Sequence, residues 1–290
     1  MSTNASDFTS ERGEFTPTPV GPSIARPWIN ASRLQVQAPL RLFCFPYAGG
    51  AASVFSKVLN GLPPEIEVCP VELPGRGSRL SELPVNDLGR LVEIVAEELA
   101  PHLDQPFAFF GHSMGALLGF ELARYLRRIH RVAPVHLLVS AGRAPQVPAS
   151  GPITWDLTDQ QLVDKMRRLN GTPQAVLDNP ELMALVLPII RADLVAIDSY
   201  VYREEPPLSC PITAFGGLQD STVTRDQLSP WREQTSESFT LRMLPGDHFF
   251  LHSAQQTLRE VLARELRQYC STRVVPRDVG ARSVATGSSI

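Results

Sequence analysis

Three sites in this chain have the residue types and spacing for covalent acyl chemistry. They are Gly111-His112-Ser113-Met114-Gly115, Asp220 and His248. A Gly-x-Ser-x-Gly run that follows an apolar stretch (Phe107-Ala108-Phe109-Phe110) and opens a helical pattern marks a sharp strand-to-helix turn, which exposes one serine hydroxyl above a sheet. Gly111 and Gly115 suit that turn because side chains there would collide with neighbouring backbone. The helix that follows aims free N–H groups and the positive end of its dipole at Ser113.

A serine nucleophile needs a base, and the base needs an orienting acid. The expected chain order is Ser, then Asp or Glu, then His. The histidines after Ser113 are His130, His136, His248 and His252. His130 follows an arginine-rich helix end and reads as surface. His136 starts a strand on the side away from the nucleophile. His248 lies in Leu244-Pro245-Gly246-Asp247-His248-Phe249-Phe250, just past the carboxyl end of a strand, where open α/β sheets place their sites. It is the selected base, with His252, expected in the first turn of the last helix, as the alternative. Asp220 is the selected acid because it also follows a strand end, in Gly216-Gly217-Leu218-Gln219-Asp220. Asp193 and Asp198 compete, but both fall in helical segments and read as helix-surface carboxylates. Asp247 adjoins His248 too closely to reach its Nδ1.

An oxyanion hole requires two backbone N–H donors. Met114, the residue after the nucleophile, supplies one. The other is assigned to Ala48 in Tyr47-Ala48-Gly49-Gly50, with Tyr47 or Gly49 as alternatives. His112 is expected to point away from the reacting atoms.

Short apolar runs separated by helical patterns must position these residues. Strands are predicted at about 40–45, 66–71, 107–110, 135–140, 211–215 and 240–244, and most pairs are separated by a helix. This is the pattern of a mostly parallel sheet flanked by helices on both faces. Residues 143–209 break the alternation. They read as all-helical, with Thr158 capping one helix and a long apolar run from Pro180 to Tyr202 that Pro188 should bend. A helical insertion placed between nucleophile and acid is expected to form a lid. The predicted organisation is a flexible leader at 1–36, with Trp28 and Ile29 able to dock, a catalytic domain at 37–270 and a flexible tail at 271–290.

Composition narrows the function classes. The chain has 290 residues and a net charge of −3, which is no nucleic-acid signature. No apolar run is long enough to span a membrane, and the polar N-terminus lacks a secretory h-region. Cys44, Cys69, Cys210 and Cys270 form no C-x-x-C pair, which fits a reducing cytoplasm. No metal-ligand cluster appears, and no cofactor is implied.

With these residues placed, the chain resembles the type II thioesterases that accompany polyketide synthases and nonribosomal peptide synthetases. The resemblance runs from about Leu40 to Leu266. It rests on Phe45-Pro46-Tyr47-Ala48-Gly49-Gly50, Leu73-Pro74-Gly75-Arg76-Gly77, the Ser113 motif, Phe215-Gly216-Gly217 with Asp220, and Gly246-Asp247-His248-Phe249-Phe250. It implies an α/β-hydrolase fold with a helical lid. It also implies hydrolysis of acyl thioesters from the phosphopantetheine arm of acyl or peptidyl carrier proteins, an editing role that removes stalled or aberrant acyl groups. The family triad carries over onto Ser113, Asp220 and His248. A free-standing monomer that meets its carrier in trans is expected. Arg124, Arg127, Arg128 and Arg131, and separately Arg76, are candidate docking cations, although basic residues at a helix C-terminus also serve the dipole and solubility. The residues alone leave two alternatives: an esterase or fatty-acyl thioesterase acting on soluble substrates, and a non-catalytic binding protein on the same fold.

Overall fold

Every residue of β1 (Leu40–Phe45) and β3 (Phe107–His112) is buried, which is the condition of a central parallel strand covered on both faces. The computed structural model describes residue 28, residues 38–149, residue 154 and residues 156–270. The predicted leader other than Trp28, and the predicted tail, lie outside the described residues.

The chain continues from β1 through α1 (Ser53–Val58), β2 (Ile66–Pro70) and α2 (Leu88–Leu99) to β3, then α3 (Met114–Ile129) and β4 (His136–Ser140). Next come α4 (Asp159–Leu169), α5 (Gln174–Leu177) and α6 (Pro180–Asp198), then β5 (Ile212–Gly217) and α7 (Arg225–Leu228). It closes with β6 (Phe239–Leu244), α8 (Phe250–Ser253) and α9 (Gln255–Cys270). The strands form one sheet in the order β2-β1-β3-β4-β5-β6, and every neighbouring pair is parallel.

Strand alternation divides the core in two. Phe43, Phe45, Phe107 and Phe109 pack with α2 and α3 on one face. Leu40, Leu42, Cys44, Ala108 and Phe110 pack with α1 and α9 on the other. Each fully buried Phe contributes about 2–3 kcal/mol, so the central strands anchor the elements that carry the site. Trp28 docks as expected: it is buried, its carbonyl accepts the Glu72 N–H at 2.7 Å, and the Arg79 guanidinium lies 3.6 Å from its ring centroid.

The order reverses between β1 and β3, because β2 lies outside β1 while the later strands extend the other way. Phe45 pairs with Gly111 in the register, so the loop after β1 and the turn after β3 leave the sheet side by side. That crevice at the carboxyl edge is where open α/β sheets bind ligands.

Helices α4, α5 and α6 form the insertion between β4 and β5. They share a small apolar cluster of their own, built from Leu162, Met166, Leu177, Met183 and Ile190. Their starts follow local chemistry. Thr158 and Gln161 form a reciprocal capping box, and Asn179 accepts from the N–H groups of Glu181 and Leu182. Pro188 lies within α6, which is assigned as a single helix. No helix among the described residues is long and apolar enough to cross a membrane.

Candidate active site

Ser113 sits between β3 and α3 with φ 55° and ψ −113°, a conformation that costs a non-glycine residue about 1–3 kcal/mol. Packing holds it there. The Ser113 N–H donates to the Ser140 carbonyl at 2.7 Å. The two glycines are required by close backbone approach: a Cβ on Gly111 would lie 1.9 Å from the Gly115 carbonyl oxygen, and one on Gly115 would lie 2.0 Å from that of Phe45. Gly115→Ala is therefore expected to lower the thermal midpoint sharply and to abolish serine labelling by a fluorophosphonate. A variant with the wild-type midpoint and full labelling would contradict the close packing of the turn.

The structure brings Ser113, Asp220 and His248 together. His248 Nε2 lies 3.1 Å from Ser113 Oγ, and His248 Nδ1 lies 2.9 Å from Asp220 Oδ2. Asp220 follows β5 and His248 follows β6, so both descend from neighbouring strand ends. Asp220 Oδ1 is fixed by the N–H groups of Thr222 at 2.7 Å and Val223 at 3.1 Å, and by the Thr222 hydroxyl at 2.7 Å. The Thr222 oxygen in turn lies 2.8 Å from His248 Nδ1. Burial pushes the Asp220 carboxyl upward, but the hydrogen bond and charge of His248, with the Thr222 donors, outweigh it and hold the pKa at about 2. An ionised Asp220 keeps the proton of the neutral imidazole on Nδ1, which leaves Nε2 free to accept from Ser113. This relay can move a proton off a serine as it attacks a carbonyl.

Comparison with known proteins identifies the family. A thioesterase-domain family model matches residues 40–268. The chain belongs to the thioesterase family. It is 48% identical over 240 residues to the gramicidin S biosynthesis protein GrsT of Aneurinibacillus migulanus, covering 83% of this chain and 94% of that protein. RedJ, a thioesterase from the prodiginine pathway of Streptomyces coelicolor, superposes with TM-score 0.73 at 42% identity, over 79% of this chain and 87% of that one. The type II thioesterase BorB from the borrelidin cluster gives TM-score 0.76 at 38% identity, over 83% and 98% of the two chains. The enzyme is thus an acyl thioester hydrolase on an α/β-hydrolase fold, as the motif resemblance implied. The soluble-substrate esterase and the non-catalytic binder are not favoured.

The other histidines of this thioesterase are engaged elsewhere. His252 lies in α8, one short helix before the last, and its Nε2 is 3.2 Å from the Tyr47 hydroxyl. His136, at the start of β4, has Nε2 2.9 Å from Thr213 Oγ1 of β5. His112 is fully buried with Nδ1 2.9 Å from Ser140 Oγ. Burial, followed by the charges of His248 and His252, holds its pKa well below the usual value, so it stays neutral. It packs edge-on to the His248 ring at 5.6 Å and serves as a wall.

The loop after β1 has its N–H groups divided among separate tasks. Gly50 N–H turns back to the Tyr47 carbonyl at 2.8 Å, and Gly49 N–H donates to Asp193 Oδ2 at 2.7 Å. Gly49 is thereby removed as an oxyanion donor. The Ala48 and Met114 N–H groups make no hydrogen bond among the described residues.

Three expectations about charged residues need correction. Asp193 is not a helix-surface carboxylate. Its side chain is 1% exposed and receives both ends of the Arg76 guanidinium, at 2.7 and 2.8 Å. Arg76, itself 4% exposed, is therefore no docking cation. Removing one partner of such a buried pair typically costs about 3–5 kcal/mol. The arginine cluster is ion-paired rather than free, with Arg124 buried, Arg127 half-buried and Arg128 exposed. Arg124, Arg127 and Arg128 all pair with Glu205, at 3.0, 2.9 and 2.5 Å, and tie the end of α3 to the segment before β5. Arg131 is exposed. Thr222 was not anticipated at all. Its only sequence signal is the Asp220-Ser221-Thr222 spacing, in which a carboxylate can bond backbone two residues on.

Proposed function

We propose that Ser113, His248 and Asp220 hydrolyse acyl thioesters carried on the phosphopantetheine arm of acyl or peptidyl carrier proteins, as an editing step in polyketide or nonribosomal peptide assembly. The continuous relay from Ser113 Oγ through His248 to Asp220 carries this reading. The named pathways of the relatives support its biosynthetic setting.

In this mechanism Ser113 Oγ attacks the thioester carbonyl while His248 Nε2 takes its proton. The Ala48 and Met114 N–H groups receive the oxyanion. The tetrahedral intermediate collapses, the C–S bond breaks, and the pantetheine sulfur leaves with the proton from the imidazolium. Water, deprotonated by His248, then attacks the acyl-serine ester. The carboxylic acid departs, and Ser113 regains its proton. Thiolate is a good leaving group, so the demand on His248 as an acid is light, and oxyanion stabilisation dominates the barrier.

Residues 37–270 act as the catalytic domain in this account, with 143–209 as its lid. Two contacts support the lid role. Gly171, in the turn between α4 and α5, lies so close to Phe249 that a Cβ there would meet the ring at 2.2 Å. Ile197 and Asp198 at the end of α6 help line a cavity of ≈ 180 Å³ beside Ser113, with Met114, Leu117 and Val223 opposite. This space beside the nucleophile can admit part of an acyl chain. A monomer acting in the cytoplasm is part of the proposal. It is supported by exposed apolar side chains scattered over separate elements, such as Leu83, Ile129 and Leu218, and by four free cysteines, three of them buried.

The test is steady-state hydrolysis of N-acetylcysteamine thioesters of increasing acyl length, alongside the matching oxygen esters. The expected result is a higher kcat/KM for thioesters than for the matching oxygen esters, with a clear dependence on acyl length. A kcat/KM independent of acyl length would contradict the acyl-pocket assignment, and a preference for oxygen esters would contradict the substrate class.

A further inference from the structure

We propose that Asp193 and Arg76 are positioning residues for the oxyanion hole, so that lid helix α6 is a working part of the catalytic centre and not only its cover. This inference rests on the mechanism above. Its basis is the hydrogen bonding of Gly49 and Gly50 in the loop after β1. A buried backbone N–H needs a partner, and in this loop each assignment orients the next peptide. Gly50 N–H closes a turn on the Tyr47 carbonyl at 2.8 Å. Gly49, at φ +75°, turns its N–H outward to Asp193 Oδ2 at 2.7 Å. That leaves the N–H groups of Tyr47 and Ala48, of which Ala48 is the assigned oxyanion donor.

The ion pair holds this turn at both ends. Asp193 takes the Gly49 N–H, while Arg76 Nη1 lies 3.4 Å from the Gly50 carbonyl and Nε lies 3.3 Å from that of Pro74. One helical turn before Asp193, Ile190 lies against Gly49, where a Cβ would sit 2.5 Å from Ile190 Cγ1. Positions 190 and 193 share one face of α6. The lid therefore grips the loop with one apolar and one charged contact, and the loop packs in turn against the nucleophile turn through Phe45 and Gly115. A buried ion pair is an inefficient stabiliser, because well-packed apolar residues of similar volume often replace it at no loss. Its placement on the backbone of this loop points to geometry as its purpose. An apolar pair could fill the space but could not hold the Gly49 N–H.

The test compares Asp193→Asn and the double replacement Arg76→Met with Asp193→Leu against wild type and Ser113→Ala. The substrate is the butyryl N-acetylcysteamine thioester. Active sites are counted by fluorophosphonate titration, and folding is followed by denaturant midpoint. In the folded variants kcat per titrated site should fall about 10- to 100-fold with KM within threefold. Affinity for a butyl trifluoromethyl ketone, whose serine adduct places an oxyanion in the hole, should fall by the same factor as kcat/KM. A merely structural role would shift the denaturant midpoint and leave kcat and ketone affinity unchanged, and that result in either folded variant overturns the proposal. If Asp193→Asn does not fold, the double variant decides, since it leaves no unpaired buried charge. A Ser113→Ala variant with kcat within about tenfold of wild type would instead refute the serine mechanism itself, so the two failures are distinct.

Discussion

Replacing Ser113 by alanine is expected to lower kcat for thioester hydrolysis by about 10⁴-fold or more and to leave KM nearly unchanged. The reason is local. In the proposed mechanism the hydroxyl oxygen bonds to the acyl carbon, and it is this hydroxyl that faces His248 Nε2, at 3.1 Å. The fold should survive the change, because the conformation at 113 is held by its backbone bond to Ser140 and by the packing of Gly111 and Gly115. Residual activity should come from the oxyanion donors acting on a water molecule. Steady-state kinetics and fluorophosphonate labelling check both halves. Loss of labelling with an unchanged unfolding midpoint is the expected outcome. Retained burst kinetics in the alanine variant would place the nucleophile elsewhere.

Asp220→Asn is expected to cost about 10⁴-fold in kcat with little loss of structure. The geometry dictates why. Asp220 Oδ1 receives the N–H groups of Thr222 and Val223, so an asparagine must put its oxygen in that place. Its NH₂ then occupies the site of Oδ2, which faces His248 Nδ1 at 2.9 Å in the wild type. A donor at that position forces Nδ1 to accept and moves the imidazole proton to Nε2. That nitrogen can then no longer take the proton of Ser113. In the wild type the Asp220 carboxyl, with its pKa held at about 2, is ionised throughout the range where the enzyme is assayed. Its loss of charge therefore contributes no inflection to the rate profile above about pH 3. Near-UV circular dichroism and the pH dependence of kcat/KM test this. An asparagine variant with more than one tenth of wild-type kcat would contradict the tautomer argument.

Much of this was legible in the sequence wherever a function depends on local pattern. The strands announce themselves as short apolar runs, and one helix start as Thr158 before a periodic segment. Ser113, Asp220 and His248 were selected because each follows a strand's carboxyl end, and the structure brings them into one relay. What stayed hidden depends on partners far away in the chain. Asp193 and Arg76 are 117 residues apart, and α6 is apolar on so many sides that periodicity assigns its carboxylate to no particular face. Arg124, Arg127 and Arg128 look like a solvated helix end until Glu205, about 80 residues on, folds back over them. Thr222 was missed for a different reason. An exposed loop threonine carries no periodic signal, and its value lies wholly in the angle at which it holds a carboxylate.

These hidden contacts alter the picture of the enzyme. The α4–α6 insertion meets the body through the loop after β1 and through the Phe249 ring beside His248. Under the proposed lid role, acyl-group selection and catalysis at Ser113 would share these contacts.

The most direct test of the central claim is acyl release from a purified butyryl-phosphopantetheinyl carrier protein, set against the same acyl group on N-acetylcysteamine, with wild type and Ser113→Ala in parallel. The account predicts release that depends on Ser113 and a higher kcat/KM for the carrier-bound group. Serine-dependent hydrolysis of the small thioester with none from the carrier would contradict it.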